Sequence, residues 1–294
     1  MHAALAADSE FPGRVLPTFR PDAFVDAGLP GFADRVELLW QTAGESRRDY
    51  SGFLEALEAR RAHFRSHGAV SVDLGVEDPL TLDLDDGTAA ALFRGALAGT
   101  LTPDEVRAFR GHMVVQMARM SVDDGLVMTL HAGVVRNHHR ASFARFGPDT
   151  GHDVPLAVEF TRNLRPLLER FGTAAGFHLA VFAMDESAIA RELAPLAGFY
   201  PSLYIGAPWW FLDAPDSILR HRAAVTETAG FYRGTGFIDD TRAFLSIPAR
   251  HDMSRRVDSA YLARLAVEGR MSLAQAERVA VDLVDGIPRS VFKL

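Results

Sequence analysis

The sequence predicts an α/β fold and, within that class, a (β/α) barrel of the TIM type. Three observations lead there. Short apolar runs of strand character alternate with longer segments of helical spacing, which implies parallel βαβ units with right-handed crossovers. No glycine-rich fingerprint follows the first strand; Gly234-Thr235-Gly236 is too short and precedes a strand, which favours a barrel over a doubly wound nucleotide-binding sheet. Most of the predicted strands also end in a side chain suited to polar chemistry or substrate packing, and in barrels the active site lies at those ends.

In chain order, Val15–Phe19 reads as the first strand and stops at Arg20-Pro21-Asp22. A helix over Tyr50–His67 is marked by Phe53, Leu54, Leu57 and Phe64 on one face. Ala69–Gly75 is the second strand, terminated by glycine. Two helices follow, Leu84–Ala98 and Thr102–Met120; the latter opens on a capping box with proline at its first position, and Val106, Phe109, Met113 and Met117 form a core stripe. Residues 76–125 read as a helical insertion within one barrel domain spanning residues 1–294. The third strand, Leu126–Leu130, runs into His131-Ala132-Gly133, and Val134–Pro155 shows no periodicity. A loop that long inside a compact domain is usually functional or disordered.

A helix with Phe160, Leu164, Leu167, Leu168 and Phe171 as its buried stripe precedes the fourth strand, Phe177–Phe182. A short helix around Ile189–Leu196 leads to the fifth strand, Ser202–Gly206, which reaches Trp209-Trp210-Phe211. After a helix over Pro215–Thr228, the apolar run from Gly236 to Asp239-Asp240 reads as the sixth strand. Two helices close the chain, the last from a capping box at Ser272.

Composition narrows the chemistry. The 294 residues are 48% hydrophobic, enough for a sizeable core, and the formal net charge of −7 points to neither nucleic acid nor an anionic membrane as partner. With no membrane-length apolar run and no signal-peptide pattern, a cytoplasmic protein is the expectation. There is no cysteine, and Lys293 is the only lysine. Disulfides, thiolate zinc sites and cysteine nucleophiles are excluded, and Schiff-base or P-loop lysine chemistry is disfavoured.

Chemistry then rests on the strand ends: Arg20, Asp73, His131, Trp209 with Trp210, and Asp240 with Arg242. Each also has a plain structural alternative. Arg20 could anchor a loop, Asp73 a turn, and His131 and the tryptophans could be core residues. Asp240-Thr241 also fits a helix N-cap. His138-His139 reads as a solvated loop. Taken together, the set suits a small anionic polyol. Two arginines would hold a carboxylate, a carboxylate base would take a proton beside a carbonyl, and histidine would ligate a metal or donate to the oxygen. Aldose–ketose isomerisation of a sugar acid fits at least as well as hydrolysis.

The chain resembles the uronate (glucuronate) isomerases of the amidohydrolase superfamily. The resemblance is carried by Leu16–Asp22, Met128–Gly133, Arg136-Asn137, Gly147–Gly151, Trp209–Phe211 and Asp240–Ser246, in family order over nearly the whole chain. It implies interconversion of D-glucuronate with D-fructuronate, and of D-galacturonate with D-tagaturonate, by proton transfer between C2 and C1 through an enediol. By resemblance, Asp240 is the metal-associated carboxylate and base, with Arg242 and His131 beside it in the catalytic set. Arg20, Asp73, Trp209, Trp210 and Arg136 are the expected substrate-binding residues.

Three departures from the family pattern stand out. Asp-Thr-Arg replaces Asp-Ser-Arg, Leu74 stands where a histidine is common, and the family's metal-binding His-x-His occurs nowhere in this chain. The six strands would match the third through eighth of the barrel, so the expectation is the C-terminal part of such an enzyme. Association into a homo-oligomer through unpaired strand edges is expected, with weak or absent binding of the divalent metal, zinc, that the resemblance implies. Size exclusion and a metal assay test this; a monomer with stoichiometric zinc would contradict it. A metal-dependent hydrolase on the same scaffold and a catalytically inactive subunit for binding or assembly are the alternatives.

Overall fold

The computed structural model describes residues 1–11, 13–241 and 243–294. The chain divides into two compact units. Unit one comprises Met1–Gly75, Leu80–Thr129 and Arg162–Phe177; unit two comprises Val76–Pro79, Leu130–Thr161 and His178–Leu294. Among the described residues no helix is long and apolar enough to cross a membrane.

In unit one, strand β1 (Thr18–Phe19) pairs in parallel with β2 (Ser71–Val76), in the register Thr18↔Ser71 and Phe19↔Val72. Next in order comes β3 (Val127–Ala132), whose first half belongs to this unit. Tyr50–Ser66, Asp86–Ala98 and Pro103–Asp124 form the expected helices. Thr102 accepts from Glu105 N–H while the Glu105 side chain accepts from Thr102 N–H, so the capping box forms as read. The helix runs on to Asp124 because the chain leaves it only at Gly125, whose φ of +80° suits glycine. Phe109, Met113 and Met117 are fully buried, and Phe53 stacks on Phe93 with centroids 4.7 Å apart.

A polar network threads that core. Leu84 N–H donates to His112 Nδ1 at 3.2 Å, so the ring hydrogen sits on Nε2 and donates to Tyr50 Oη at 2.7 Å. Burial lowers the His112 pKa and keeps the ring neutral.

In unit two β4 (Val134–Val135) and β5 (Val154–Pro155) form a separate small sheet, and the main-sheet order is the end of β3, then β6 (Leu179–Phe182) and β7 (Leu203–Ile205). β6 and β7 are parallel, with Leu179↔Leu203 and Val181↔Ile205. All four residues of β6 are buried, which accounts for its unbroken apolar sequence.

The main sheet therefore has five strands among the described residues, in a linear rather than cyclic order, and not the six expected. The missing strand is the run from Gly236 to Asp240. Among the described residues a single parallel bridge, Ile205↔Gly234, marks where it would have begun. Gly236 has φ +77° and Asp240 φ +48°, and backbone that turns left-handed twice in five residues cannot extend a ladder. The aperiodic stretch after β3 also gains structure. β4 (Val134–Val135) pairs antiparallel with β5 (Val154–Pro155), and a helix spans Arg140–Phe146. Strands of two residues are too short to show alternation in the sequence.

Two helical runs of unit two widen into π turns, at Ile189–Leu193 and Asp282–Gly286. Each precedes a proline, Pro195 or Pro288. A proline lacks the N–H and crowds the carbonyl four residues back, here Arg191 or Val284, inside the widened turn. Glu192, presented by the first π turn, is buried and accepts from the N–H groups of Phe160 (2.7 Å) and Thr161 (3.0 Å).

Candidate functional site

The strand-end residues fall into two groups, one in each unit. In unit one the β1–β2 register carries Arg20 and Asp73 just past the Phe19↔Val72 pair. Arg20 Nε lies 3.3 Å from Asp73 Oδ2, and its Nη2 donates to Asp22 Oδ2 at 2.8 Å. Thr129 Oγ1, on β3, donates to Asp73 Oδ1 at 2.6 Å. Gly75 N–H donates to Asp22 Oδ1 at 2.8 Å. Burial raises the Asp22 carboxyl above the ordinary carboxylate range, outweighing the Gly75 bond and the Arg20 charge, and the neighbouring Asp73 pushes the same way. Arg20 is 58% exposed while Asp73 is 18% exposed, so the guanidinium faces outward over two anchored carboxylates. Such a group offers donors and acceptors side by side, as the hydroxyls and carboxylate of a sugar acid require.

In unit two His131 is the penultimate residue of β3, half-buried. Its ring stacks on Phe182, with centroids 4.2 Å apart and planes 11° apart, and meets Trp209 edge-on at 4.6 Å. Gly206 makes room for this, because a Cβ there would stand 2.4 Å from the Phe182 ring. Trp209 is buried, and its Nε1–H donates to Asp240 Oδ2 at 3.0 Å, so the indole orients the exposed carboxylate.

Trp210 has φ +55°, an unfavourable conformation for a bulky residue. Its ring stacks on Phe211 at 5.2 Å and lies 4.8 Å from the Arg136 guanidinium carbon. Arg136 also pairs with the buried Asp153 at 3.0 Å and with Asp149 at 3.7 Å. Arg242 lies outside the described residues.

Asp239 behaves differently from Asp240, although they are adjacent acids. It is buried and accepts from Thr241 Oγ1 and Arg250 Nε, while its carbonyl accepts from Arg250 Nη2 at 2.9 Å. Arg250 Nη2 also donates to Asp213. Burial acts to raise the Asp239 pKa, but the bonds from Thr241 and Arg250 and the Arg250 charge hold it below the usual carboxylate range. One acid is thereby committed to structure, and its neighbour is presented to solvent.

The sequence reading missed Asp22, Thr129, Asp153, Asp213 and Arg250. Asp22 and Thr129 lie inside stretches already singled out, and proximity to Arg20 or Asp73 was the available signal. Arg250 is an ordinary arginine in a helix, and nothing in its sequence context distinguishes it. His138 and His139 are exposed as expected, and His139 Nδ1 caps the Arg140–Phe146 helix through Ser142 N–H. Among the described residues no three His, Asp or Glu side chains come together to hold a metal, and Asp240 has one oxygen engaged by Trp209. These residues do not compose a metal centre on their own.

The profile of the glucuronate isomerase family matches residues 1–288. The uronate isomerase of Corynebacterium efficiens is 50% identical over 293 residues, an alignment covering 100% of this chain and 62% of that protein. The crystal structure of glucuronate isomerase from Caulobacter crescentus superposes with a TM-score of 0.95 at 45% identity, covering 99% of this chain and 61% of that one. Uronate isomerase from Thermotoga maritima superposes with a TM-score of 0.91 at 28% identity, covering 96% and 63%. The chain thus spans about three fifths of the length of the relatives it matches. Motifs, fold and profile agree over nearly every residue, and the chain belongs to the glucuronate isomerase family.

Proposed function

We propose that this chain acts in the aldose–ketose isomerisation of uronates, D-glucuronate to D-fructuronate and D-galacturonate to D-tagaturonate. The observation that carries this reading is the Trp209–Asp240 pair, an exposed carboxylate held in one orientation by a buried indole. In the reaction a base removes the C2 proton of the open-chain aldose while O1 takes up a proton, giving an enediol; return of a proton to C1 with loss of the O2 hydroxyl proton completes the ketose. Asp240 is the candidate base, since one of its oxygens is fixed by the indole while the group stays accessible. His131, set in a defined plane by Phe182 and Trp209, is the candidate donor to an adjacent oxygen, and Arg242 the candidate partner of the developing oxyanion.

By the family resemblance Arg20 and Asp73, which pair with each other in unit one, are candidate substrate-binding residues. Trp209 and Trp210 offer apolar faces, and Arg136 a cation beside Trp210. The family resemblance also implies a divalent metal, with zinc the expected ion. The chain's own described residues do not form such a site.

Turnover of D-glucuronate by the purified chain, followed as ketose formed, tests the proposal. Asp240→Asn should lower kcat by roughly 10²–10⁴-fold, the usual contribution of a positioned acid–base group. Arg20→Met should raise KM while leaving kcat closer to normal. Equal turnover by wild type and Asp240→Asn would refute the role of Asp240, and binding of D-glucuronate without turnover would leave a uronate-binding protein in place of an isomerase.

A further inference from the structure

We infer that Arg250 is a positioning residue that sets the geometry of the Trp209–Asp240 pair. Its guanidinium makes hydrogen bonds to three acceptors on two separate loops: the carboxylate of Asp239, the carbonyl of Asp239, and the carboxylate of Asp213. Asp239 immediately precedes Asp240. Asp213 immediately follows the 3₁₀ turn Trp210–Leu212, whose N-cap is Trp209. The arginine therefore ties the loop that supplies the indole donor to the loop that supplies the carboxylate acceptor.

The restraint has something to oppose. Asp240 and Trp210 both have left-handed backbone, at φ +48° and +55°, and neither lies in a ladder that would enforce it. Non-glycine residues keep such conformations only where surrounding contacts over-determine them. Thr241 adds a hydroxyl bond to Asp239 from the other side of Asp240, so the residue that carries the exposed carboxylate is flanked by anchored neighbours. Arg250 itself is part of the long helix Ile247–Val267, a rigid base for the clamp. Lysine cannot replace it, since one ammonium lacks the planar fork that reaches both loops at once. The inference rests on the isomerase reading only for the use made of Asp240; the geometry it concerns is independent of turnover.

The test reads the Trp209 indole directly. The chain has three tryptophans, Trp40, Trp209 and Trp210, so a ¹⁵N-labelled sample has three indole Nε1–H groups, and Trp209→Phe assigns the one of interest. Arg250→Met is expected to speed solvent exchange of the Trp209 indole hydrogen by about tenfold or more, the scale of a lost charged hydrogen bond. Arg250→Lys should behave like Arg250→Met. The buried Trp40 indole in unit one, whose Nε1 has no hydrogen-bond partner, should keep its rate and so report against general opening. A lowered melting temperature with unchanged Trp209 exchange would overturn the inference, since it would make Arg250 a stabilising residue only. If Arg250→Met does not fold, Asp213→Asn carries the same test by loosening one arm of the clamp: faster Trp209 exchange supports positioning, and an unchanged rate overturns it. Because no substrate is used, lost turnover beside unchanged exchange would remove the clamp and leave the isomerase reading standing.

Discussion

Asp258→Leu is expected to destabilise unit two by about 3–5 kcal/mol, the range found when one partner of a buried ion pair is removed. Asp258 accepts two bonds from Arg222, Nε at 2.7 Å and Nη2 at 2.9 Å, and the two side chains are only 8% and 5% exposed. The pair joins the helix Pro215–Thr226 to the helix Ile247–Val267, which also carries Arg250. Without the carboxylate, the guanidinium stays charged and buried with nothing to balance it, because arginine does not lose its proton in proteins. Arg222→Met should cost less, since an abandoned carboxyl can take up a proton. The double variant Arg222→Met with Asp258→Leu should recover most of the loss, as apolar replacements of buried pairs commonly do. Urea denaturation at neutral pH decides. Equal costs for the two single variants would contradict the argument.

The second large effect is a pH dependence from His221, one residue before Arg222. The imidazole is 5% exposed, and its Nδ1 is buried without a hydrogen-bond partner. Burial, helped by the Arg222 charge, lowers its pKa from 6.5 to about 3. The folded chain therefore holds the ring neutral where the unfolded chain would protonate it. Stability from this group is complete above pH 6.5 and falls as the pH drops toward 3, by roughly 1.4 kcal/mol per pH unit. Unfolding free energies at pH 7.5, 6 and 5 should fall less steeply in His221→Leu than in wild type. Parallel slopes would show that the ring protonates in the folded state at an ordinary pH.

Much of the architecture could be read from residue order. Alternating strands and helices, the capping boxes at Thr102 and Ser272, and the buried stripe of Phe109, Met113 and Met117 are local signals, and local signals survive in a linear text. The strand from Gly236 to Asp240 was misread because its apolar residues satisfy a strand pattern, while its backbone turns left-handed at Gly236 and Asp240 under the hold of distant partners. Periodicity reports which residues want burial. It does not report the dihedral angles that tertiary contacts impose.

The candidate site divides in the same way. Residue types and motif order determined the family and singled out Arg20, Asp73, His131, Trp209 and Asp240, because chemistry demands particular functional groups and those are visible one by one. Their partners were decided by the tertiary structure alone. Thr129 reaches Asp73 from the neighbouring strand, 56 positions away, Gly75 reaches Asp22 across 53, and Arg250 reaches Asp239 and Asp213 across 11 and 37 positions of sequence. The division of labour between Asp239 and Asp240 is decided there too: identical side chains at adjacent positions differ only in which neighbours the fold brings to each, and a hydrogen bond depends on distance in space, not on distance along the chain.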